Sequence, residues 1–340
     1  MYSAASLIYL YKKMSVRFLL IFLLGIPSLA CAQVLEILEQ GKPSNLRGIG
    51  IYKKTVWASG SNGYVGRSDD NGHTWAWQQV AGYENKDFRD IQVLDSHTAL
   101  LMAIESPAYI LKTADAGSTW KKVYENKDTS MFLDAMAFAD AQQGYVIGDP
   151  LGSHLFMAAT KDGGNTWGPV TNSFPPLLKG EAFFAASGTN IAVDTHQLFL
   201  VSGGAQSRLM TKGQALRLPI MQGTESTGAN SIGIFNNKIM VAGGDFSNPR
   251  RNDSVLIFSN DGGKTWQHPA LPPGGYRSAV AAVDQNTWIT CGLTGVEVSK
   301  DGGLTWQQLS VESFNAISIN KAARTAFLAG SGGRIAKVVF

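Results

Sequence analysis

Arginine opens three related apolar stretches of the chain, at Leu46-Arg47-Gly48-Ile49, Phe88-Arg89-Asp90-Ile91 and Tyr276-Arg277-Ser278-Ala279. A guanidinium is a planar fork of N–H donors that grips a carboxylate or phosphate through two parallel hydrogen bonds. Arg47, Arg89 and Arg277 at equivalent positions of one repeat would make an anion site. Acidic Asp134 and Glu181 stand at near-equivalent places in Phe132-Leu133-Asp134-Ala135 and Glu181-Ala182-Phe183-Phe184, and Asp149 and Asp245 follow in Gly148-Asp149-Pro150 and Gly243-Gly244-Asp245. The polar run 246–253 adds Arg250 and Arg251. The opposing reading is that each arginine pairs with a neighbouring carboxylate such as Asp90 and only ties the structure together.

Other chemistries lack a residue pattern. His73, His97, His154, His196 and His268 show no metal-ligand spacing, and no nucleophile elbow, phosphate loop or dinucleotide fingerprint is present. No metal and no cofactor is expected. The apolar stretch Trp288-Ile289-Thr290-Cys291 makes Cys291 a buried, inert thiol rather than half of a disulfide.

The elements that position these residues are set by a repeat. Five segments obey [Ser/Thr]-x-Asp-x-Gly-x-Thr-Trp, carrying Asp70 and Trp75, Asp115 and Trp120, Asp162 and Trp167, Asp261 and Trp266, and Asp301 and Trp306. Each lies between apolar, β-prone stretches and reads as a hairpin turn. The Asp accepts hydrogen bonds from its own turn, the Gly supplies positive φ, and the Trp packs between sheets. One Asp per repeat is a turn residue, and the spacing argues against a calcium or catalytic set.

The tryptophans recur at intervals of 45, 47, 99 and 40 residues, so the long interval holds two repeats with a degenerate turn at Thr211-Lys212-Gly213-Gln214. A period in the forties with about four strands per unit marks propeller blades. Counting the opening segments, with Ala229-Asn230-Ser231-Ile232 and Phe314-Asn315-Ala316-Ile317 as the remaining two, gives seven. The expected fold is all-β: a seven-bladed β-propeller of four-stranded blades with Asp-box turns, a six-bladed ring being the alternative because blade four is least regular. The strand 34–39 is expected to complete the last blade and close the ring.

Composition bounds the partners. The chain has 340 residues and a formal net charge of +3, but Lys12, Lys13 and Arg17 precede an apolar run and Ala30-Cys31-Ala32. That is the pattern of a secretory signal peptide over 1–32, leaving 33–340 as a single propeller domain with 26 basic and 26 acidic residues. The protein is expected to be exported, periplasmic or extracellular, with lipoprotein anchoring at Cys31 as the alternative; Met14 offers a second possible start. The even balance gives no general reason to bind nucleic acid. A monomer is expected.

The turn motif is identified as the Asp box, or bacterial neuraminidase repeat. Together with seven openings of the Phe-Arg-Asp-Ile type, it resembles the photosystem II stability/assembly factor-like family over nearly all of the chain beyond residue 32. That resemblance implies a seven-bladed propeller with an arginine patch that helps a membrane complex assemble. The expected function is accordingly a non-catalytic binding or assembly module whose arginine-lined mouth recognises an anionic peptide, protein terminus or ligand, a membrane-complex subunit being one candidate. The alternative is a sialidase-like glycoside hydrolase. That resemblance would enlist Tyr276 as nucleophile, Glu181 as its partner and Asp90 as acid/base, but the Arg-Ile-Pro segment it requires is replaced by Arg47-Gly48-Ile49.

Overall fold

The computed structural model describes residues 33–152, 154–170, 174–194 and 197–340. The segment 1–32 with Cys31, and His196, lie outside the described residues. The same side-chain and backbone hydrogen bonds recur at every Asp box, with a further one from the Trp indole in three of them, and explain why these turns form. In the fifth blade the Thr265 backbone N–H donates to Asp261 Oδ1 at 2.9 Å and the Thr265 hydroxyl to Oδ2 at 2.6 Å. The Ser259 hydroxyl donates to Asp261 Oδ1 at 2.7 Å and accepts the N–H of Gly263 at 2.8 Å, while the Trp266 indole closes on the Gly263 carbonyl at 3.1 Å. Gly263 sits at φ +89°, where a side chain is disfavoured. In the second and third boxes, Trp120 and Trp167 leave their indole N–H without a partner.

These turns join the third and fourth strands of successive antiparallel sheets. Blade one comprises Leu46–Tyr52, Thr55–Gly60, Tyr64–Ser68 and Ala76–Gln79. The first strands of the other blades are Phe88–Val93, Leu133–Phe138, Ile191–Asp194, Thr227–Phe235, Ala279–Ala282 and Ala316–Asn320. Each contacts the first strand of the next, and the seventh contacts the first, so seven blades close a ring with these strands innermost. The six-blade alternative is overturned. The degenerate turn 211–214 joins Arg208–Thr211 to Gln214–Arg217, the last two strands of blade four.

Seven apolar layers fill the gaps between blades. The second strand of a blade faces a layer on each side, so Thr55–Gly60, Ala99–Ala103, Lys238–Asp245, Trp288–Gly292 and Thr325–Ala329 are buried at every residue. Each box Trp enters the layer shared with the preceding blade; Trp120 meets Trp57 edge-on at 5.9 Å between ring centres.

Two sheets depart from the simple pattern. In blade seven the fourth, outermost strand is Leu35–Glu39, paired antiparallel with Ile335–Val339. The sheet of blade five has five strands, because Glu181–Ala182 and Gly203–Gly204 join its inner edge. The sequence equivalence that placed Glu181-Ala182-Phe183-Phe184 as the opening of blade four therefore fails: that blade opens at Ile191.

Leu35–Glu39 shields the edge of the last strand, and an open edge recruits other chains. Deleting residues 33–39 is expected to lower the thermal midpoint and to produce concentration-dependent association in size-exclusion chromatography; an unchanged, monodisperse variant would contradict this role.

Candidate functional site

Side-chain direction on the innermost strands follows from register. In blades one, two, three, five and six, the residues paired with Ser59, Met102, Ile147, Ala242 and Cys291 are Gly48, Asp90, Ala135, Ser231 and Ala279. In blade seven, Ala316 pairs with Ala329. The residue just before each is thus equivalent: Arg47, Arg89, Asp134, Asn230, Ser278 and Asn315. In four of these blades a register shift falls at this residue, a bulge that turns its side chain out of the sheet.

Five of the six line a single cavity of about 380 Å³ at one mouth of the channel. Arg47 and Arg89 contribute from adjacent blades, and Asn230, Ser278 and Asn315 from blades five to seven. Phe132, Phe183, Phe184, Phe246, Tyr276 and Leu293 supply an apolar lining.

The floor is a segment that the repeat does not predict. Residues 183–190 precede the first strand of blade four but bond to blades across the ring. Ala186 and Ala185 carbonyls accept from Arg47 at 3.3 Å and Arg89 at 3.5 Å. The Ser187 hydroxyl donates to the Ser278 carbonyl at 2.8 Å, and the Thr189 hydroxyl to that of Ser231 at 2.7 Å. One segment reaches blades one, two, five and six only by crossing the centre, so 183–190 plugs the channel. Gly188, at φ +69°, packs on Asp90 so closely that a Cβ would lie 2.5 Å from its carboxylate.

The two cavity arginines differ in their partners. Arg89 pairs with Asp87 at 2.8 Å and lies over the Phe132 ring at 5.7 Å. Arg47 forms no ion pair among the described residues, and its buried Nε has no hydrogen-bond partner. Burial first, and then the like charge of Arg89, lowers the Arg47 pKa. Arg47 is thus a cation held against another cation, offset only in part by Asp87, which is already paired with Arg89.

The third arginine is not at the mouth. Arg277 precedes the ring position by one residue, and a one-residue shift turns a strand side chain to the opposite face. Its equivalents are core residues Leu46, Phe88, Leu133, Ala229 and Phe314. Arg277 is fully buried within blade six, held by Glu297 at 2.6 and 3.0 Å, by the Thr294 hydroxyl at 2.7 Å and by the Tyr276 carbonyl at 3.0 Å.

The acidic candidates also disperse. Glu181 is locked on Arg208 at 2.5 and 2.8 Å and accepts the Leu178 N–H at 2.8 Å. Asp134 holds the ring position of blade three but does not line the cavity; it is fully buried with both oxygens unbonded. Burial, then Asp149, drives its pKa well above the carboxylate range, and burial raises that of Asp149 as well. Asp245 accepts the backbone and hydroxyl of Ser247 at 3.0 and 2.7 Å; burial opposes its ionisation, but these bonds prevail and lower its pKa. Arg251 pairs with Asp253 through two bonds of 2.8 Å, and Arg250 is exposed on the same loop.

The hydrolase constellation does not assemble. Tyr276 lines the cavity, its hydroxyl donating to Asn230 at 3.2 Å, and burial raises its pKa. Asp90 lies between blades two and three, accepting the Met136 N–H at 2.7 Å and the Gln92 amide at 3.1 Å. Glu181 is engaged by Arg208.

Ring and site together define a seven-bladed Asp-box propeller with a plugged channel and one cationic, aromatic mouth. The BNR/Asp-box repeat model matches residues 257–268, the turn of blade five. No curated protein matches the chain significantly. Among solved structures, YCF48 bound to D1 peptide superposes with a TM-score of 0.64 at 17% identity, covering 90% of this chain and 97% of that one. YCF48 from Cyanidioschyzon merolae gives 0.64 and 17%, covering 90% and 99%. A GH74 xyloglucanase from Xanthomonas campestris gives 0.60 and 15%, covering 89% of this chain and 53% of that one. These likenesses establish the fold, and with the Asp-box match they support the resemblance drawn from the sequence to the photosystem II stability/assembly factor-like propellers. The xyloglucanase shows that the architecture by itself does not decide between binding and catalysis.

Two outcomes follow from these contacts. Arg277→Ala strands Glu297 as a buried, unpaired charge and should cost about 3–5 kcal/mol in chemical unfolding, whereas Arg277→Met with Glu297→Leu should restore most of it; equal losses would contradict a purely structural pair. The pH profile tests the buried acids. Burial pushes the Asp90 pKa up to about 7, so between the unfolded value of roughly 4 and about 7 the native state holds the extra proton and stability falls as pH rises. Below that window the reverse holds, because hydrogen bonds from Thr74, Thr119, Thr166 and Thr265 depress the Asp-box carboxylates, whose contribution is lost as pH falls. The urea midpoint should therefore peak at about pH 4–5, and Asp90→Asn should flatten the decline towards pH 7.

Proposed function

We propose that the protein is a non-catalytic, exported binding propeller, acting outside the cytoplasm, that recognises an anionic peptide or protein terminus at its Arg47/Arg89 mouth and helps a partner assemble, a membrane-complex subunit being the candidate partner. One observation carries this reading: Arg47 faces Arg89 in an aromatic-walled cavity with no carboxylate of its own. A cation placed so is stabilised when a ligand brings the missing charge. Planar, bidentate donors on adjacent blades suit a carboxylate better than a point charge would.

The plug supports a rigid receptor, because it fixes both arginines from below through the Ala185 and Ala186 carbonyls while leaving their remaining donors for a ligand. YCF48, which shares this ring, has been captured with a D1 peptide, which favours a peptide or protein as the partner here. Catalysis is disfavoured by the engagement of Glu181 with Arg208 and by the seat of Asp90 between two blades.

Charge-assisted hydrogen bonds contribute about 1.5–3 kcal/mol each. Replacing Arg47 and Arg89 with Gln should therefore weaken binding of an acidic peptide by at least about tenfold per side chain, measured by calorimetry, with the thermal midpoint of the free protein unchanged or raised. Turnover of fluorogenic glycosides that disappears in Glu181→Gln or Tyr276→Phe would overturn the reading.

A further inference from the structure

Resting on that reading, we infer that the mouth takes the free C-terminus of a chain whose last residue bears a bulky apolar side chain, and that Phe246 is the residue that sets this preference.

The plug makes the cavity blind. Residues 183–190 close the channel beneath it, and Arg47, Arg89, Ser278 and Ser231 tie that segment across the ring. An internal segment needs room to enter and to leave, whereas a chain end needs one opening. A cavity of about 380 Å³ lies at the small end for ligand sites and suits the last residue or two of a chain.

Apart from Phe132, which packs against Arg89, charge and apolar surface occupy different sectors of this cavity. Arg47 and Arg89 come from blades one and two. The opposite wall carries Tyr276 and Leu293 of blade six and Phe246 from the loop of blade five. Phe246 meets the floor residue Phe184 edge-on at 5.8 Å and Tyr276 at 6.5 Å. Phe246 remains 45% exposed, and Leu293 44%. An apolar cradle open to water beside a pair of guanidiniums matches an α-carboxylate and the side chain on the same terminal residue. Inorganic anions would leave the aromatic wall wet, and an acidic side chain within a chain carries no apolar side chain on the same residue.

Four peptides of one sequence separate these ideas by calorimetry: a free acid ending in Phe, its C-terminal amide, a free acid ending in Gly, and an amide with one internal Glu. The Phe acid should bind at least about tenfold more tightly than its amide or the Gly acid. Phe246→Ala should bring the ratio of Phe-acid to Gly-acid affinity close to one, with thermal unfolding confirming the fold and Phe246→Leu retaining part of the preference. Equal binding of the acid and the amide, equal binding of the Phe and Gly ends, or a loss shared by both ends in Phe246→Ala would overturn the inference. Binding of the internal-Glu amide as strong as that of the Phe acid would also overturn it, while leaving the anionic-partner reading intact. Failure of all four peptides would remove both.

Discussion

What the channel mouth can hold is decided by register on the seven innermost strands. A strand sends successive side chains to opposite faces, and in four blades a bulge near the mouth turns one residue out of the sheet. Arg47 and Arg89 occupy that residue and face each other across a blade gap; Arg277, one position earlier, is drawn into the core and must take Glu297 with it. The same arginine side chain is thus a ligand donor or a buried strut according to a shift of a single residue. The seven-layer core enforces that register, because slipping any inner strand would expose its apolar set.

The plug converts a channel into a receptor. A regular blade four would leave the axis open from mouth to mouth. Instead its first strand starts late, at Ile191, and the residues before it cross the ring, where Gly188 fits against Asp90 only because it has no side chain. The short strands Glu181–Ala182 and Gly203–Gly204 are taken up by the sheet of blade five, with the Glu181–Arg208 pair holding this departure in place. Asp90 beneath the plug and the Asp134–Asp149 pair of blade three place buried acids in blades two and three, and these set the expected loss of stability towards neutral pH.

Much of the fold was legible in the sequence because a repeated turn demands repeated residues. Asp70, Asp115, Asp162, Asp261 and Asp301 each accept the bonds that their spacing implied, and the degenerate turn 211–214 lies where the long Trp interval placed it. The site was legible in part. Arg47 and Arg89 share the mouth as their positions suggested. Arg277 was misplaced because Tyr276-Arg277-Ser278 matches Leu46-Arg47-Gly48 by residue type but not by pairing, which only the partner strand reveals. Glu181 was misplaced for a related reason: the apolar stretch 181–186 resembles an inner strand, although Ser187-Gly188 behind it signals a turn. The aromatic wall of Phe184, Phe246 and Tyr276 joins three distant segments, and no local pattern announces it.

The central claim is that Arg47, which has no ion-pair partner among the described residues, and Arg89, which shares Asp87, together receive an anion at the mouth. Its most direct test follows the arginine Nε–H resonances of the protein by NMR while an acidic peptide is titrated in. The account predicts saturable shifts of the Arg47 and Arg89 signals and none of the Arg277 signal. A titration that shifts Arg250 or Arg251 and leaves Arg47 and Arg89 unmoved would place recognition on the blade-five loop and contradict the account.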